Sequence, residues 1–500
     1  MWNSRASHGQ PAAQGVILLS LASAAAVLLG YGVHVVAARW LTPVSYGRFV
    51  IVVSVIALIK NLQGSLLLPG LFKSVSEDHR RLGAALGVAV RWYSAASIGL
   101  LVLVLIAAPV LGLAFGDAAL MGLFMLAAIE LPFSAMMNLG DRLLKGLRRY
   151  GVVATMMATY SVTRTCGACV LILLGVGVAG GVVGLALGSI VAGALAFFLL
   201  VRERKLMPSE PYPPMLRRAL SWTAMAIPTV SARAALMAMD LWMVKAMMDD
   251  PVAAGLYGVA YTVSRLPHFI TQGLVGAVFP RVSGALAEGS NALARSVSAE
   301  AMRLLIIVFV PICVLVAGSA SEIAAFLFSA KYAGAGAPLS LLIISMSCSA
   351  YLSLMLALIA AADHPGVRMA VVVALLPVGA GLNLLLIPRL GLEGAATASL
   401  ITLGLGAVIA GLLAYSYVRA VPPLWSCLRC VTAGGVVYAM GRAWAPTGWS
   451  VIGKLAALGT LYLVVLFLLR EFQKEDLSVI RRAILRSSAS PGSAPSRADG

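Results

Sequence analysis

Charge is scarce in this chain. Asp, Glu, Lys and Arg make up 11% of its 500 residues, less than half the roughly 25% of an average soluble domain. With 61% of residues hydrophobic and a mean hydropathy of +0.96, the apolar surface exceeds what one soluble core can bury. Lipid must solvate most of the chain, which excludes a cytosolic enzyme, a secreted disulfide domain and a nucleic-acid-binding domain. Cysteine is sparse as well: six residues, scattered through apolar segments, give no disulfide framework. Five histidines are dispersed and no paired carboxylates occur, so nothing supports catalysis and no cofactor is expected. Acid is scarcer than base, 19 residues against 37, for a net charge of +18. In a soluble chain this surplus would suggest nucleic acid; in an apolar one, basic loops set the orientation in the membrane.

A spanning helix needs about 20 mostly apolar residues, because lipid leaves every backbone group to be satisfied internally. Fourteen such stretches are present, over roughly 14–38, 46–69, 85–113, 117–139, 152–175, 178–201, 219–248, 253–282, 296–317, 337–362, 366–387, 392–418, 426–444 and 451–469. The first is too long for a signal-peptide core and is read as a retained helix. The most polar are 219–248 and 253–282. The connecting loops alternate in charge. One side, from Arg5 through Lys73, Arg142, Arg202, Arg281, Arg368 and Arg429 to the tail after Leu469, holds 25 Lys and Arg; the other holds six, Arg39, Arg48, Lys331, Arg389, Arg442 and Lys454. The positive-inside rule then places both termini in the cytoplasm, and an even span count agrees. Residues 470–500, basic and then rich in Ser, Pro, Ala and Gly, read as a disordered cytoplasmic tail.

The sequence repeats itself. Leu41-Thr-Pro-Val-Ser-Tyr46-Gly47 matches Asp250-Pro-Val-Ala-Ala-Gly-Leu-Tyr257-Gly258 at an offset of 211; Tyr150-Gly151-Val matches Pro365-Gly366-Val at 215; Leu174-Gly-Val-Gly177-Val-Ala-Gly180 matches Pro388-Arg-Leu-Gly391-Leu-Glu-Gly394 at 214. Three ordered matches at nearly one offset imply two six-helix halves of the same orientation. The expected fold is therefore an all-α polytopic membrane protein of about 14 transmembrane helices. It comprises a cytoplasmic N-terminal tail (1–13), an N-terminal six-helix bundle (14–201), a cytoplasmic linker (202–218), a C-terminal six-helix bundle (219–418) and helices 13 and 14 (426–469). Such duplicated halves are how many transporters build a cavity with alternating access.

An ionisable group at the bilayer centre costs about 2.5–3.5 kcal/mol on insertion scales, so it should face a cavity or a partner. Beyond the basic residues counted with the loops, six fall inside the spans: Lys60, Arg91, Arg164, Arg233, Lys245 and Arg265; the acids in their midst are Glu130 and Asp240. Arg233, Arg265 and Arg164 sit near mid-depth and Lys60 in the inner half of span 2, whereas Arg91 and Lys245 are near span ends and can snorkel. Arg265, His268 and Gln272 share one helix face. Asp240, seven residues after Arg233, is placed to neutralise Arg233 or Lys245, but the net field inside the membrane stays positive. A cationic cavity suits an anionic cargo, and Arg matches phosphate bidentately. His34 reads as an interhelical hydrogen-bonding residue.

Other motifs carry no chemistry. Gly448-Trp-Ser-Val-Ile-Gly453-Lys454 has phosphate-loop spacing, but Leu455 replaces the required Ser or Thr, so no nucleotide is expected. Cys166-Gly-Ala-Cys169 and Cys427-Leu-Arg-Cys430 have zinc-like spacing but read as residues packed between helices. Gly180, Gly184 and Gly188 mark close helix packing. Pro228, Pro267, Pro311 and Pro377 interrupt spans and permit kinks.

The pattern resembles a known family. Ala38-Arg-Trp-Leu-Thr-Pro-Val-Ser-Tyr-Gly-Arg-Phe49 resembles the first-loop signature of polysaccharide flippases, the Wzx-like branch of the multidrug/oligosaccharidyl-lipid/polysaccharide exporter superfamily. Gly255-Leu-Tyr-Gly-Val-Ala-Tyr261, Val278-Phe-Pro-Arg-Val-Ser283, Phe328-Ser-Ala-Lys-Tyr332 and Leu382-Asn-Leu-Leu-Leu-Ile-Pro-Arg-Leu-Gly-Leu-Glu-Gly-Ala-Ala396 resemble later signatures. The resemblance implies two bundles in a V around a cavity lined by spans 1, 2, 7 and 8. It implies an undecaprenyl-diphosphate-linked oligosaccharide moved from the cytoplasmic to the outer leaflet of the bacterial inner membrane. Lys60, Arg233 and Arg265 would then meet the pyrophosphate, with His268, Asp240 and Arg164 in the same cationic cavity. Membrane lipid and polysaccharide polymerase or assembly proteins are the implied partners, with no nucleic acid and no nucleotide.

Three other functions compete with this reading. A flippase for the peptidoglycan lipid precursor would use the same mechanism. A cation-coupled drug antiporter should have an acidic cavity, and this one is basic. A membrane-embedded polymerase or glycosyltransferase needs a sizeable external loop, and none exceeds roughly 20 residues.

Overall fold

Apolar runs of this length become helices for the reason already given, and proline and glycine decide where they break. The computed structural model describes residues 12–66, 82–206, 227–444, 446–469 and 471. The first half of the chain forms α1 (Ala12–Trp40), α2 (Pro43–Ser65), α3 (Leu82–Ala114), α4 (Ala118–Ala128), α5 (Leu131–Gly146), α6 (Tyr150–Leu173) and α7 (Gly177–Leu206). The second half forms α8 (227–236), α9 (Met239–Met247), α10 (Ala253–Ser264), α11 (Leu266–Ala287), α12 (Asn291–Ala317), α13 (Ala320–Phe328), a 3-10 turn (Ala330–Ala335), α14 (Gly336–Ala361) and α15 (Pro365–Val418). The terminal pair is α16 (Leu424–Ala443) and α17 (Ser450–Leu468). No strand occurs among the described residues. The chain is an all-α, multi-pass membrane protein.

Ten helical runs are long and apolar enough to cross a membrane, or eleven when the bent pair α4–α5 is counted as one span. The difference from the fourteen expected has three physical sources. The 54 residues of α15 count once, yet Gly391 inside it has φ 58° and ψ −131° and is not helical. An unbroken helix of that length would run about 81 Å, far beyond the roughly 30 Å of hydrocarbon. Span 7 is reduced because 219–226 lie outside the described residues and a turn at 237–238 separates α8 from α9. The third, α16, carries Arg429, Thr432 and Arg442 and is the more polar of the C-terminal pair. The proposed tails, apart from its helical start at Ala12 and from Glu471, and most of the linker also lie outside the described residues.

Two of the breaks place ionisable groups. Pro132 and Pro267 sit in the first turns of α5 and α11, where proline lacks a donor and its ring clashes with the carbonyl four residues back. The preceding helices stop there, leaving Glu130 at a 42° bend and Arg265 between α10 and α11. Helix α6 packs along α7 at Gly184, where a Cβ would come within 2.1 Å of the Ala168 nitrogen, as the glycine spacing predicts. Buried Lys454 donates to Glu322 Oε1 at 3.0 Å and so is not an exposed loop cation.

The two halves close on each other at one end. Thr42 caps α2, its hydroxyl accepting from Ser45 N at 3.2 Å. There α2 meets α10 so tightly that a Cβ on Gly255 would lie 2.1 Å from Pro43 O, and one on Gly47 2.9 Å from Gly255 N. The two copies of the first repeated motif are therefore in direct contact. Polar links surround them. Arg39 donates to the carbonyls of Phe326 and Leu327 at 2.7 and 2.9 Å, and Lys331 to those of Leu41 and Arg39 at 2.7 and 3.2 Å. Asp117, the N-cap of α4, accepts from Arg48 at 2.8 Å and Lys245 at 3.1 Å.

Candidate functional site

Below this closed end, two adjoining cavities lie between the halves. The first, of about 660 Å³, is bounded by α2, α8, α10, α11, α14 and the start of α15, and is lined by Arg233, Arg265, His268 and Arg368. The second, of about 510 Å³, lies against α1, α2, α6 and α10 and is lined by Tyr31, His34, Tyr160, Arg164 and, again, Arg265. Ser54, Ala57, Tyr261, Arg265 and Gln272 face both. The break before Pro267 is what puts Arg265 between them.

The arginines are held by neutral groups. Arg265 Nη1 donates to Tyr261 Oη at 3.1 Å, with the guanidinium 5.2 Å from that ring's centre. Arg164 repeats the arrangement four residues after Tyr160, at 3.1 Å and 5.7 Å. Arg233 Nη2 donates to Ser353 Oγ. His268 Nε2 lies 3.0 Å from Gln272 Nε2, one turn along the same face, as the spacing predicts. No carboxylate lines either cavity among the described residues, and none of Arg164, Arg233, Arg265 and Arg368 forms a salt bridge with a described acid. Four guanidinium groups facing these cavities, none of them in a salt bridge with a described acid, form a site poised for an anion.

Two expected site residues sit elsewhere. Asp240 is 1% exposed and accepts hydrogen bonds from Tyr257 and Ser399, both at 2.7 Å, and from Leu241 N at 2.8 Å. It lines neither cavity and pairs with neither Arg233 nor Lys245. Its turn on α9 aims it at α10 and α15, which shared spacing with Arg233 along one unbroken helix did not foresee. Lys60 lies beside, not in, the two cavities. It lines a smaller one of about 220 Å³ with Asn61, Glu130, Tyr160 and Arg164. Its ammonium is bound to Glu130 at 3.0 Å and to Ser189 at 3.3 Å, and Ser189 also donates to Glu130 at 2.6 Å. Lys60 is therefore neutralised locally by a direct ion pair, which none of the four cavity arginines makes with a described acid.

One residue was missed. Arg368 was assigned to a basic loop, yet it lies in the first turn of α15 and reaches the larger cavity. The signal was available: Pro365 at a first-turn position starts the helix three residues before it. His34 behaves as expected, its Nδ1 3.3 Å from Tyr46 Oη. The six cysteines are free, and no metal-binding cluster occurs among the described residues.

A family model described as "Polysaccharide biosynthesis protein" matches residues 12–285. No curated protein matches the chain. Among solved structures, the inward closed conformation of the lipid II flippase MurJ is similar with a TM-score of 0.72 at 14% identity, over 91% of this chain and 99% of that one. An inward-facing multidrug resistance MATE family transporter of the MOP superfamily gives 0.64 at 16%, over 81% and 98%. A MOP superfamily transporter from Pyrococcus furiosus, described as having a binding pocket of reversed polarity, gives 0.60 at 16%, over 82% and 96%.

Proposed function

We propose, on the premise that the chain belongs to the polysaccharide biosynthesis protein family, that it flips an undecaprenyl-diphosphate-linked oligosaccharide across the bacterial inner membrane for surface polysaccharide assembly. The observation that carries this reading is the pair of joined cavities lined by Arg164, Arg233, Arg265 and Arg368 with no carboxylate among the described lining residues. A lipid-linked sugar has an apolar tail, a charged diphosphate and a polar headgroup that cannot cross hydrocarbon unaided. Arginine guanidiniums hold phosphate oxygens in paired hydrogen bonds, and an enclosed site strengthens that attraction relative to water.

The two six-helix halves would rock about the contact between α2 and α10. By the positive-inside rule the closed end would lie outside and both termini in the cytoplasm, so this conformation would receive cargo from the inner leaflet. An inward-negative potential would favour outward movement of an anion by about 2.3 kcal/mol per charge per 100 mV. The carboxylate-free cavity speaks against a carrier of cationic drugs. The similarity to a lipid II flippase structure favours a second reading, a peptidoglycan precursor as cargo, which the same cationic site would serve.

A deletion strain tests both. Its extracted lipids should accumulate undecaprenyl-diphosphate glycans by mass spectrometry while surface polysaccharide disappears. Accumulation of the peptidoglycan precursor instead would select the second reading, and unchanged lipids would remove both.

A further inference from the structure

The cationic cavity continues, away from the closed end, into a third and larger space of about 1080 Å³. The two share Thr229, Val230, Phe279 and Arg368. Their linings differ in chemistry. The inner cavity gathers arginines, whereas this vestibule is walled on one side by Ala360, Ala361 and Ala362 and presents Ser283, Asp363, His364 and Tyr417. Among the described residues its ionised groups are one acid and one base, Asp363 and Arg368, without the cationic surplus of the inner cavity.

Tyr417 and His364 stack with ring centres 4.2 Å apart at 28°. His364 Nδ1 lies 2.7 Å from Ala362 O. A carbonyl can only accept, so Nδ1 carries a proton and Nε2 is left facing away from that contact. Asp363 holds the turn between α14 and α15 with φ 63°. Arg368 Nε, at the junction, is buried with no described hydrogen-bond partner.

A flat aromatic pair beside scattered hydroxyl, carboxylate and imidazole groups is the surface that a sugar fits. Its C–H faces lie on rings and its hydroxyls need short polar contacts. The volume is at the upper end of the roughly 300–1,000 Å³ typical of small-ligand pockets, enough for more than a single ring. We propose that this vestibule is the saccharide subsite, resting on the reading of the cargo as a diphosphate-linked glycan. Arg368 contacts the diphosphate where the linker ends, and the glycan extends away from the closed end over Phe279 and the Tyr417–His364 pair. The linker site gives binding to any polyprenyl diphosphate; the vestibule discriminates among glycans.

The test uses full-length protein in nanodiscs and two probes: undecaprenyl diphosphate, and the lipid-linked glycan fraction extracted from the producing cells' own membranes. Tyr417→Ala should weaken binding of the glycan-bearing lipid tenfold or more while leaving bare undecaprenyl diphosphate unchanged. Tyr417→Phe, which keeps the platform, should match the unsubstituted protein. Ser283→Trp, which narrows the vestibule from the opposite wall, should reproduce the selective loss and serves if Tyr417→Ala fails to fold. Arg233→Ala should weaken both probes. Equal loss of both lipids, or of neither, in Tyr417→Ala and Ser283→Trp overturns the saccharide subsite. If the unsubstituted protein binds neither lipid, the reading of the cargo falls first and the subsite falls with it.

Discussion

Lys245 of the second half reaches Asp117 of the first, its ammonium 3.1 Å from Oδ2, on the same oxygen that Arg48 approaches at 2.8 Å. One carboxylate thus ties α2, the N-terminus of α4 and α9 together at the closed end. Burial alone would raise the Asp117 carboxyl, but hydrogen bonds from Arg48 and Lys245 hold it below its ordinary value. A lowered folded value means the link is complete above the ordinary carboxylate range of about 3.9 and fades only as pH falls through the lowered value. Spin labels at Thr42→Cys and Val252→Cys in a cysteine-free background should report a short distance at neutral pH. Asp117→Asn should broaden it toward longer distances at neutral pH, and unchanged distances in that variant would show the link to be incidental.

Removing the arginines should separate transport from folding. Arg233→Ala and Arg265→Ala should insert at normal levels and lower surface polysaccharide at least tenfold, with lipid-linked glycan building up. Each residue bonds a neutral hydroxyl, so its loss strands no buried counter-charge. Normal polymer in both variants would remove the case for a cationic transport site.

Lys60 behaves in the opposite way. Its removal leaves Glu130, bent into the bundle, with Ser189 as its one remaining described hydrogen-bond donor, and breaking one side of a partly buried ion pair costs up to about 3–5 kcal/mol. Lys60→Ala should therefore lower thermal stability and membrane abundance. The double variant Lys60→Ala/Glu130→Gln should recover most of both. If the single variant is as stable as the original, the pair does not support the fold.

Asp240 gives a parallel test of a structural carboxylate. Asp240→Ala strands the Tyr257 and Ser399 hydroxyls inside the core, at about 1–3 kcal/mol per unsatisfied group. Reduced abundance with unchanged lipid affinity of the surviving protein is expected. Weakened affinity for undecaprenyl diphosphate at normal stability would return Asp240 to the transport site.

Glycine at the closing contact is equally specific. Gly255→Ala would drive a methyl group into the Pro43 carbonyl, and overpacking of this kind costs about 1–3 kcal/mol. The spin-label distance should lengthen in that variant, whereas Gly273→Ala, which meets nothing within 4 Å, should leave it unchanged.

Much of this was legible in the sequence. Apolar length located the helices, Pro267 marked the break at Arg265, and i, i+3, i+7 spacing put Arg265, His268 and Gln272 on one face; Pro132, which ends the helix at Glu130, lay unread inside an apolar stretch. Pairings were not legible. Lys60 and Glu130 are 70 residues apart and meet only because α4 and α5 bend at the acid. Asp240 was misread because the turn at 237–238 rotates α9 relative to α8, and face-sharing holds only along a continuous helix. Arg368, two residues inside the expected span 366–387, was counted with the basic loop before it, because residues this close to a span end read equally well as loop.

The closing contact also bears on ancestry. A surface that meets its own repeat is self-complementary, the defining property of a two-fold homodimer interface. A chain of half this length, carrying one copy of the Tyr-Gly motif, could pair with itself through the same approach of Gly to helix N-terminus. Fusion then frees the two edges to diverge. At the offset of 211 residues, Lys245 corresponds to His34 and Asp117 to Phe328. One edge is ionic, while at the other the Phe328 and Tyr46 ring centres lie 6.5 Å apart.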